Sequence, residues 1–290
     1  MIPLTAGMTA GDALAAITAE FRLAGLPTPD LDARFLVQGV LGIDAAALFV
    51  DRARILGTVW MPLNDAVARR LTSEPISRIL GWRDFYGRRF AISPAVLDPR
   101  PDTETVIELA LAIVDEKGWR ERPIRIADIG TGSGILACTL LAELPQATAV
   151  ATDISAAAVD VAMANARALG VEARLNGIVT RGLAGISDAF DLIVSNPPYI
   201  PTAKLDRLDV DVRNFDPAIA LDGGPDGLLI YREIVCEIKE LQSPTVLVLE
   251  FGVGQADAVT ALFAHEVTVP PRFASDLGGH TRCVALEIHR

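Results

Sequence analysis

The segment Asn196-Pro197-Pro198-Tyr199 directly follows the apolar run Asp191-Leu-Ile-Val-Ser195, so a strand is expected to deliver these four residues at its carboxyl end. Two consecutive prolines fix φ and remove two backbone donors, which leaves carbonyl acceptors held in a defined direction. Such a corner suits a planar NH2 group. With the Asn196 side-chain oxygen and the Pro197 carbonyl accepting its two N–H bonds, and Tyr199 stacked on its face, the nitrogen would be aimed at an electrophile by position alone. Amide and aromatic amino nitrogens have delocalised lone pairs and attack a methyl sulfonium poorly without that aiming. The same four residues also read as an ordinary turn, with Asn196 chosen for turn propensity and Tyr199 for partial burial.

The second group is Asp128-Ile-Gly-Thr-Gly-Ser-Gly134, set between an expected strand, Arg125–Ile129, and an expected helix, Ile135–Leu144. Gly130, Thr131, Gly132, Ser133 and Gly134 form a G-x-G-x-G cradle over which a ligand can approach the backbone. Ile135 stands where the third glycine of a dinucleotide fingerprint would fall, so a nicotinamide cofactor is disfavoured. Asp153 ends the next expected strand, Ala147–Asp153, where its carboxylate can accept both hydroxyls of a ribose. It also reads as a cap for the helix beginning near Ser155.

The elements that must position these residues fall into three stretches. Residues 1–74 carry Leu14, Ile17, Phe21, Leu31, Phe35, Leu36 and Leu48 at helical spacing and predict a small helical domain, with Pro27 and Pro29 interrupting it and Asp30 set to cap the following helix. Residues 75–99 turn to Ile79, Trp82, Phe85, Tyr86, Phe90 and Ile92, broken by Gly81 and Gly87, and predict a linking β-hairpin anchored by Trp82 and Phe85. In residues 100–290, the strands already named alternate with a further strand at Thr245–Phe251 and with helices at Ile135–Leu144, Ala156–Leu169 and Leu228–Glu240. That alternation predicts an α/β fold with a doubly wound, mostly parallel sheet. A closing hairpin is expected from His265–Val269 and Arg282–His289.

Composition narrows the function classes. The 290 residues hold 26 Lys and Arg against 37 Asp and Glu, and the net charge of −11 opposes a nucleic-acid backbone as partner. Cys138, Cys236 and Cys283 form no pair of metal-site or disulfide spacing, so a reducing cytoplasm is expected. The N-terminus has no signal-peptide pattern and no apolar run spans a bilayer, so neither membrane contact nor processing is expected. His265, His280 and His289 lack metal-ligand spacing, and no metal is expected. Asp206, Asp209 and Asp211 read either as a guide for a basic partner loop or as a solvated face.

With both motifs in place, the sequence resembles class I methyltransferases, and among them the protein-(glutamine-N5) methyltransferases that modify peptide chain release factors, the PrmC/HemK family. The resemblance covers nearly the whole chain, through Pro75-Ile-Ser-Arg-Ile-Leu-Gly81, Phe85-Tyr-Gly87, Pro99-Arg-Pro-Asp-Thr-Glu104, Gly223–Gly227 and Asp276–Arg282 as well as the two sites. It implies a seven-stranded Rossmann-like sheet and S-adenosyl-L-methionine bound by Gly130–Gly134, Asp153 and Asn196. It further implies that Asn196–Tyr199 holds the glutamine side chain, with Asn196, Pro197 and Tyr199 serving catalysis. The implied substrate is the glutamine of the release factor's Gly-Gly-Gln loop in translation termination, with the helical domain helping to grip that partner.

Two departures stand out. Asp102 replaces the glutamate usual in the Arg-Pro-Glu-Thr-Glu segment, where Pro101, Asp102 and Glu104 also read as a capped helix start. Thr180 and Arg181 stand where the family commonly has an acidic residue and an aromatic beside the adenine. Two other substrates keep the same chemistry, a glutamine of a ribosomal protein and the N6 of adenine in DNA. The second would require base flipping and a basic stripe that this chain lacks.

Overall fold

The computed structural model describes residues 4–186, 188–241, 245–267 and 269–288, so the expectations for Thr268 and His289 lie outside the described residues. The chain divides into two compact units, Met1–Gly81 and Trp82–Arg290.

The first unit contains helices α1 (Ala10–Leu23), α2 (Pro29–Leu41), α3 (Ala45–Val50), α4 (Trp60–Leu71) and α5 (Ile76–Leu80). Ile17, Phe21, Leu36, Leu48 and Leu63 are buried together, each contributing roughly 1.5–3 kcal/mol by leaving water. Leu31 and Phe35 were expected on that face but are exposed, and Ala33, Leu36 and Val37 turn inward instead. Asp30 does not cap α2. Thr28 holds the N-cap position, Pro29 the first turn, and Asp30 reaches Arg22 at 2.5 Å from an exposed site. Between α2 and α4, Asp32 and Arg70 make a buried ion pair at 2.7 Å. The stretch preceding Trp82 is the helix α5 of this unit, not part of a hairpin.

The second unit opens with the hairpin itself, β1 (Trp82–Phe85) and β2 (Arg88–Ala91). Tyr86 and Gly87, at φ 49° and 70°, make its two-residue turn, which needs left-handed backbone at both positions. Phe85 and Phe90 are buried edge to face, with ring centres 6.1 Å apart, whereas Trp82 stays half-exposed under the Arg89 guanidinium. There follow α6 (Glu104–Glu116), β3 (Arg125–Ile129), α7 (Ile135–Glu143), β4 (Thr148–Asp153), α8 (Ala156–Ala168), β5 (Leu175–Val179) and β6 (Leu192–Ser195). The unit is completed by α9 (Val210–Phe215), α10 (Leu229–Ile238), β7 (Thr245–Glu250), α11 (Ala256–Leu262), β8 (Arg272–Ser275) and β9 (Thr281–Ile288).

The sheet order is β5-β4-β3-β6-β7-β9-β8, with β3 to β7 parallel and β9 antiparallel to both of its neighbours. Along β6, Leu192 and Val194 join one core while Ile193 joins the other, the period of two expected of a sheet covered on both faces. The closing hairpin is β8 and β9. The described residues 265–267 and 269 form no partner strand for it, and Val267 makes an isolated bridge to Ile288. Among the described residues no helix is long and apolar enough to cross a membrane.

Candidate active site

Register fixes the site before any side chain is considered. Ile129 of β3 lies opposite Thr152 of β4 on one side and Ser195 of β6 on the other, and Ser195 lies opposite Leu249 of β7. The next residues along these strands are Gly130, Asp153, Asn196 and Glu250, which therefore emerge side by side at the carboxyl edge of the sheet. Strand order reverses at β3, where open α/β sheets part their loops and bind ligands. A cavity of about 380 Å3 lies there, within the range of small-molecule sites.

Gly130, Thr131, Gly132, Ser133 and Asp153 line this cavity. Gly130 and Gly132 have φ of 70° and 53°, and a Cβ on either would meet nothing within 4 Å, so the loop backbone is open to a ligand. Beneath the loop, the Thr131 hydroxyl at 2.7 Å and the Ala137 N–H at 3.1 Å both donate to Asp128. Burial pushes the Asp128 carboxyl up to about 6 against these hydrogen bonds. Asp153 straps the loop from the other side, accepting from the Gly132 N–H at 3.0 Å and the Ser155 N–H at 2.9 Å. It is not the α8 cap, because the Ser155 hydroxyl accepts from Ala158 N–H instead. Each Asp153 oxygen keeps a further lone pair for a ligand.

Gly134 does not line the cavity. It begins α7 at φ 80°, where a Cβ would lie 3.0 Å from that of Ala162 on α8, so this glycine serves close helix packing. The buried Asn165 amide donates to Ser133 O at 2.8 Å and Ala91 O at 2.9 Å and accepts from Ala91 N–H at 2.8 Å, tying the hairpin to the glycine loop.

Of the expected acceptor corner, Asn196 and Pro198 line the cavity, whereas Pro197 and Tyr199 do not. The Asn196 Nδ2 donates to Thr103 Oγ1 at 3.1 Å. Tyr199 packs against the core between β7, α10 and α11, and burial with the nearby Glu250 pushes its hydroxyl up to about 12, so it stays neutral. Its carbonyl accepts from Gln255 Nε2 at 3.1 Å, and Gln255 Oε1 in turn accepts from Gly252 N–H at 2.8 Å.

Residues 109–212 match the methyltransferase small domain and residues 12–81 the PrmC N-terminal domain. The release factor glutamine methyltransferase of Rhodospirillum rubrum is 44% identical over 91% of this chain and 81% of that protein. The one from Bradyrhizobium diazoefficiens is 41% identical over 96% of this chain and 95% of its own length. The chain belongs to the release factor glutamine methyltransferase family. A solved structure of the human METTL16 catalytic domain with MAT2A 3′UTR hairpin 6 shares the fold, at a TM-score of 0.54, 14% identity, and coverage of 79% of this chain and 82% of that one.

Within this family member the fold explains segments whose chemistry the sequence did not disclose. Gly223 and Gly227 back onto the acceptor corner. A Cβ at Gly223 would lie 2.8 Å from Pro198 O, and one at Gly227, at φ 78°, would collide with Tyr199 O. Gly227→Ala is therefore expected to displace the corner and lower methyl transfer about tenfold or more, with a loss of about 1–3 kcal/mol in stability. Activity assays and denaturant titration read both effects, and a wild-type result in each would remove the buttressing role.

Asp102 does not cap α6; it pairs with Arg282, which also lies 3.2 Å from Asp276. Glu104 accepts the Tyr86 N–H at 2.8 Å and fixes the hairpin turn. At the far end of the cavity, Arg181 is held by two hydrogen bonds to Glu233, at 3.0 and 2.6 Å, while the Thr180 hydroxyl turns to Ala184 O. Arg100 and Thr103 also line the cavity, and Arg100 is anchored to Asp216 at 2.5 Å.

Proposed function

We propose that this chain transfers a methyl group from S-adenosyl-L-methionine to the side-chain N5 of the glutamine in the Gly-Gly-Gln loop of a peptide chain release factor. What carries the reading is the register of Ile129 against Ser195, since it sets the glycine loop and the acceptor corner on adjacent strand ends at one cavity. The open backbone at Gly130 and Gly132 fits a ligand lying across it, and the free lone pairs of Asp153 fit ribose hydroxyls. The base end is held by Ile154 and by the Arg181 guanidinium, whose plane Glu233 fixes and which stands in for an aromatic face.

The cofactor supplies an electrophilic methyl group on a sulfonium. The protein orients its acceptor. Oδ1 of Asn196, a residue of the cavity wall, takes one amide N–H bond, which turns the nitrogen lone pair toward the methyl carbon and stabilises the positive charge developing on nitrogen. Pro198 lines the cavity, and Tyr199 fixes the corner from the core side. No general base is required, because the methylated nitrogen is strongly acidic and sheds its proton to water. Residues 1–74 grip the protein partner, to which the exposed Leu23, Phe49 and Val50 offer apolar surface. A cytoplasmic setting agrees with Cys138, Cys236 and Cys283 as free thiols.

Incubation with methyl-labelled donor and, separately, a release factor, a ribosomal protein fraction and DNA tests this. Label is expected on one glutamine of the release factor. Label on ribosomal protein or DNA, with the release factor blank, overturns the assignment.

A further inference from the structure

Glu250, the last residue of β7, stands one position past the Leu249 that pairs with Ser195, which places it beside Asn196. It is 1% exposed, and neither carboxylate oxygen makes a hydrogen bond of full geometry. The Tyr231 hydroxyl donates at 2.7 Å to its backbone carbonyl and leaves the carboxylate alone. A buried carboxylate without a strong partner is costly, so its place next to the acceptor corner calls for a function.

Thr103 links the two. Its side chain is fully buried and accepts from Asn196 Nδ2 at 3.1 Å, so its own proton must go to another acceptor. Glu250 stands within reach of it, for the Thr103 and Asn196 side chains both favour its ionised form against burial. The amide of Asn196 is symmetric in shape and not in polarity. Turned over, it would present NH2 to a substrate NH2, and the two donors would repel each other.

We propose that Glu250 is a positioning residue that sets the direction of the hydrogen-bond chain Asn196 Nδ2–H to Thr103 Oγ1–H to the Glu250 carboxylate, holding Asn196 Oδ1 toward the substrate amide. An ionised carboxylate only accepts, so the chain can run one way. A protonated one can donate to Thr103, which then donates to Asn196 Oδ1 and reverses the corner. This inference rests on the proposed role of Asn196 in holding the substrate nitrogen.

The groups facing Glu250 are Asp102 ahead of α6, Tyr199 after β6, Tyr231 on α10, and Arg282 and Cys283 on β9. Burial dominates and, with Asp102, outweighs Arg282, raising the Glu250 carboxyl to about 7. Because the ionised form is the competent one, kcat should rise with pH through that value and level off above it.

The tests use the full chain with a release factor substrate. Thr103→Val removes the relay hydroxyl at constant shape and is expected to lower kcat at least about tenfold with cofactor Kd changed less than about twofold, while Thr103→Ser recovers most of the loss. Glu250→Gln retains an acceptor but cannot ionise, so the rise of kcat between about pH 6 and 8 should flatten. Wild-type kcat in Thr103→Val, or an unchanged pH limb in Glu250→Gln, overturns the relay. If Glu250→Gln fails to fold, the Val and Ser pair at Thr103 still decides. Wild-type protein that leaves the release factor unmethylated would instead defeat the proposed function itself.

Discussion

Asn196→Ala is expected to lower kcat for methyl transfer by a factor of about 10²–10³ while cofactor affinity changes less than about fivefold. Losing the amide removes the oxygen on the cavity wall that accepts a substrate N–H and so orients the nitrogen. The lone pair then samples many directions, and only a small fraction lies along the sulfonium C–S axis. The glycine loop and Asp153 are untouched, because Asn196 makes no hydrogen bond to either. Single-turnover transfer from labelled donor, with calorimetric cofactor binding alongside, separates the two effects. A variant as fast as wild type would show that Asn196 does not hold the reacting group, and the Thr103 and Glu250 relay would lose its purpose with it.

The parts of the fold that carry the site were legible because they are bounded by residues with one conformational use. Arg125–Ile129 ends where Gly130 needs a positive φ, and Leu192–Ser195 ends where Pro197 and Pro198 leave the ladder without donors. Strand β5 was not legible, since Asn176 and Gly177 disfavour strand structure in isolation. Gly177 is there for packing: a Cβ would approach Val159 of α8 to 2.8 Å, a constraint visible only once helix and strand lie together. Asp30 and Asp102 read as caps because local spacing favours caps, yet each pairs with an arginine, Arg22 eight residues back in one case and Arg282 on the closing strand in the other.

The chemistry of the site was legible in type and only partly in arrangement. Of its two sequence motifs, Gly130, Thr131, Gly132, Ser133, Asn196 and Pro198 line the cavity, whereas Gly134, Pro197 and Tyr199 do not. Glu250 escapes because it reads as the polar end of a buried strand; its importance lies in the register of β7 against β6, which no local pattern encodes. Asp128 escapes for a similar reason. A carboxylate inside the apolar strand β3 shows its use only where Thr131 and Ala137 converge on it. Asp153 accepts from the loop backbone and from the Ser155 N–H ahead of α8 together, a strap that a helix-cap reading does not describe.

That double engagement sets the second large effect. Asp153→Ala is expected to weaken cofactor binding about a hundredfold, through loss of charge-assisted hydrogen bonds to the ribose, each contributing roughly 1.5–3 kcal/mol, and through a looser Gly132. Stability should fall by only about 1 kcal/mol, because the freed N–H groups of Gly132 and Ser155 border the cavity and can bind water. At saturating cofactor, kcat should stay within about fivefold of wild type, since the acceptor corner is built from β6 and not from β4. Equilibrium titration with S-adenosylmethionine, repeated with an analogue lacking the ribose hydroxyls, separates the two contributions. The analogue should bind wild type and Asp153→Ala with nearly equal affinity if the hydroxyls are what Asp153 holds. An analogue that still favours wild type a hundredfold would assign the whole effect to the strap on the glycine loop and remove the ribose from this carboxylate.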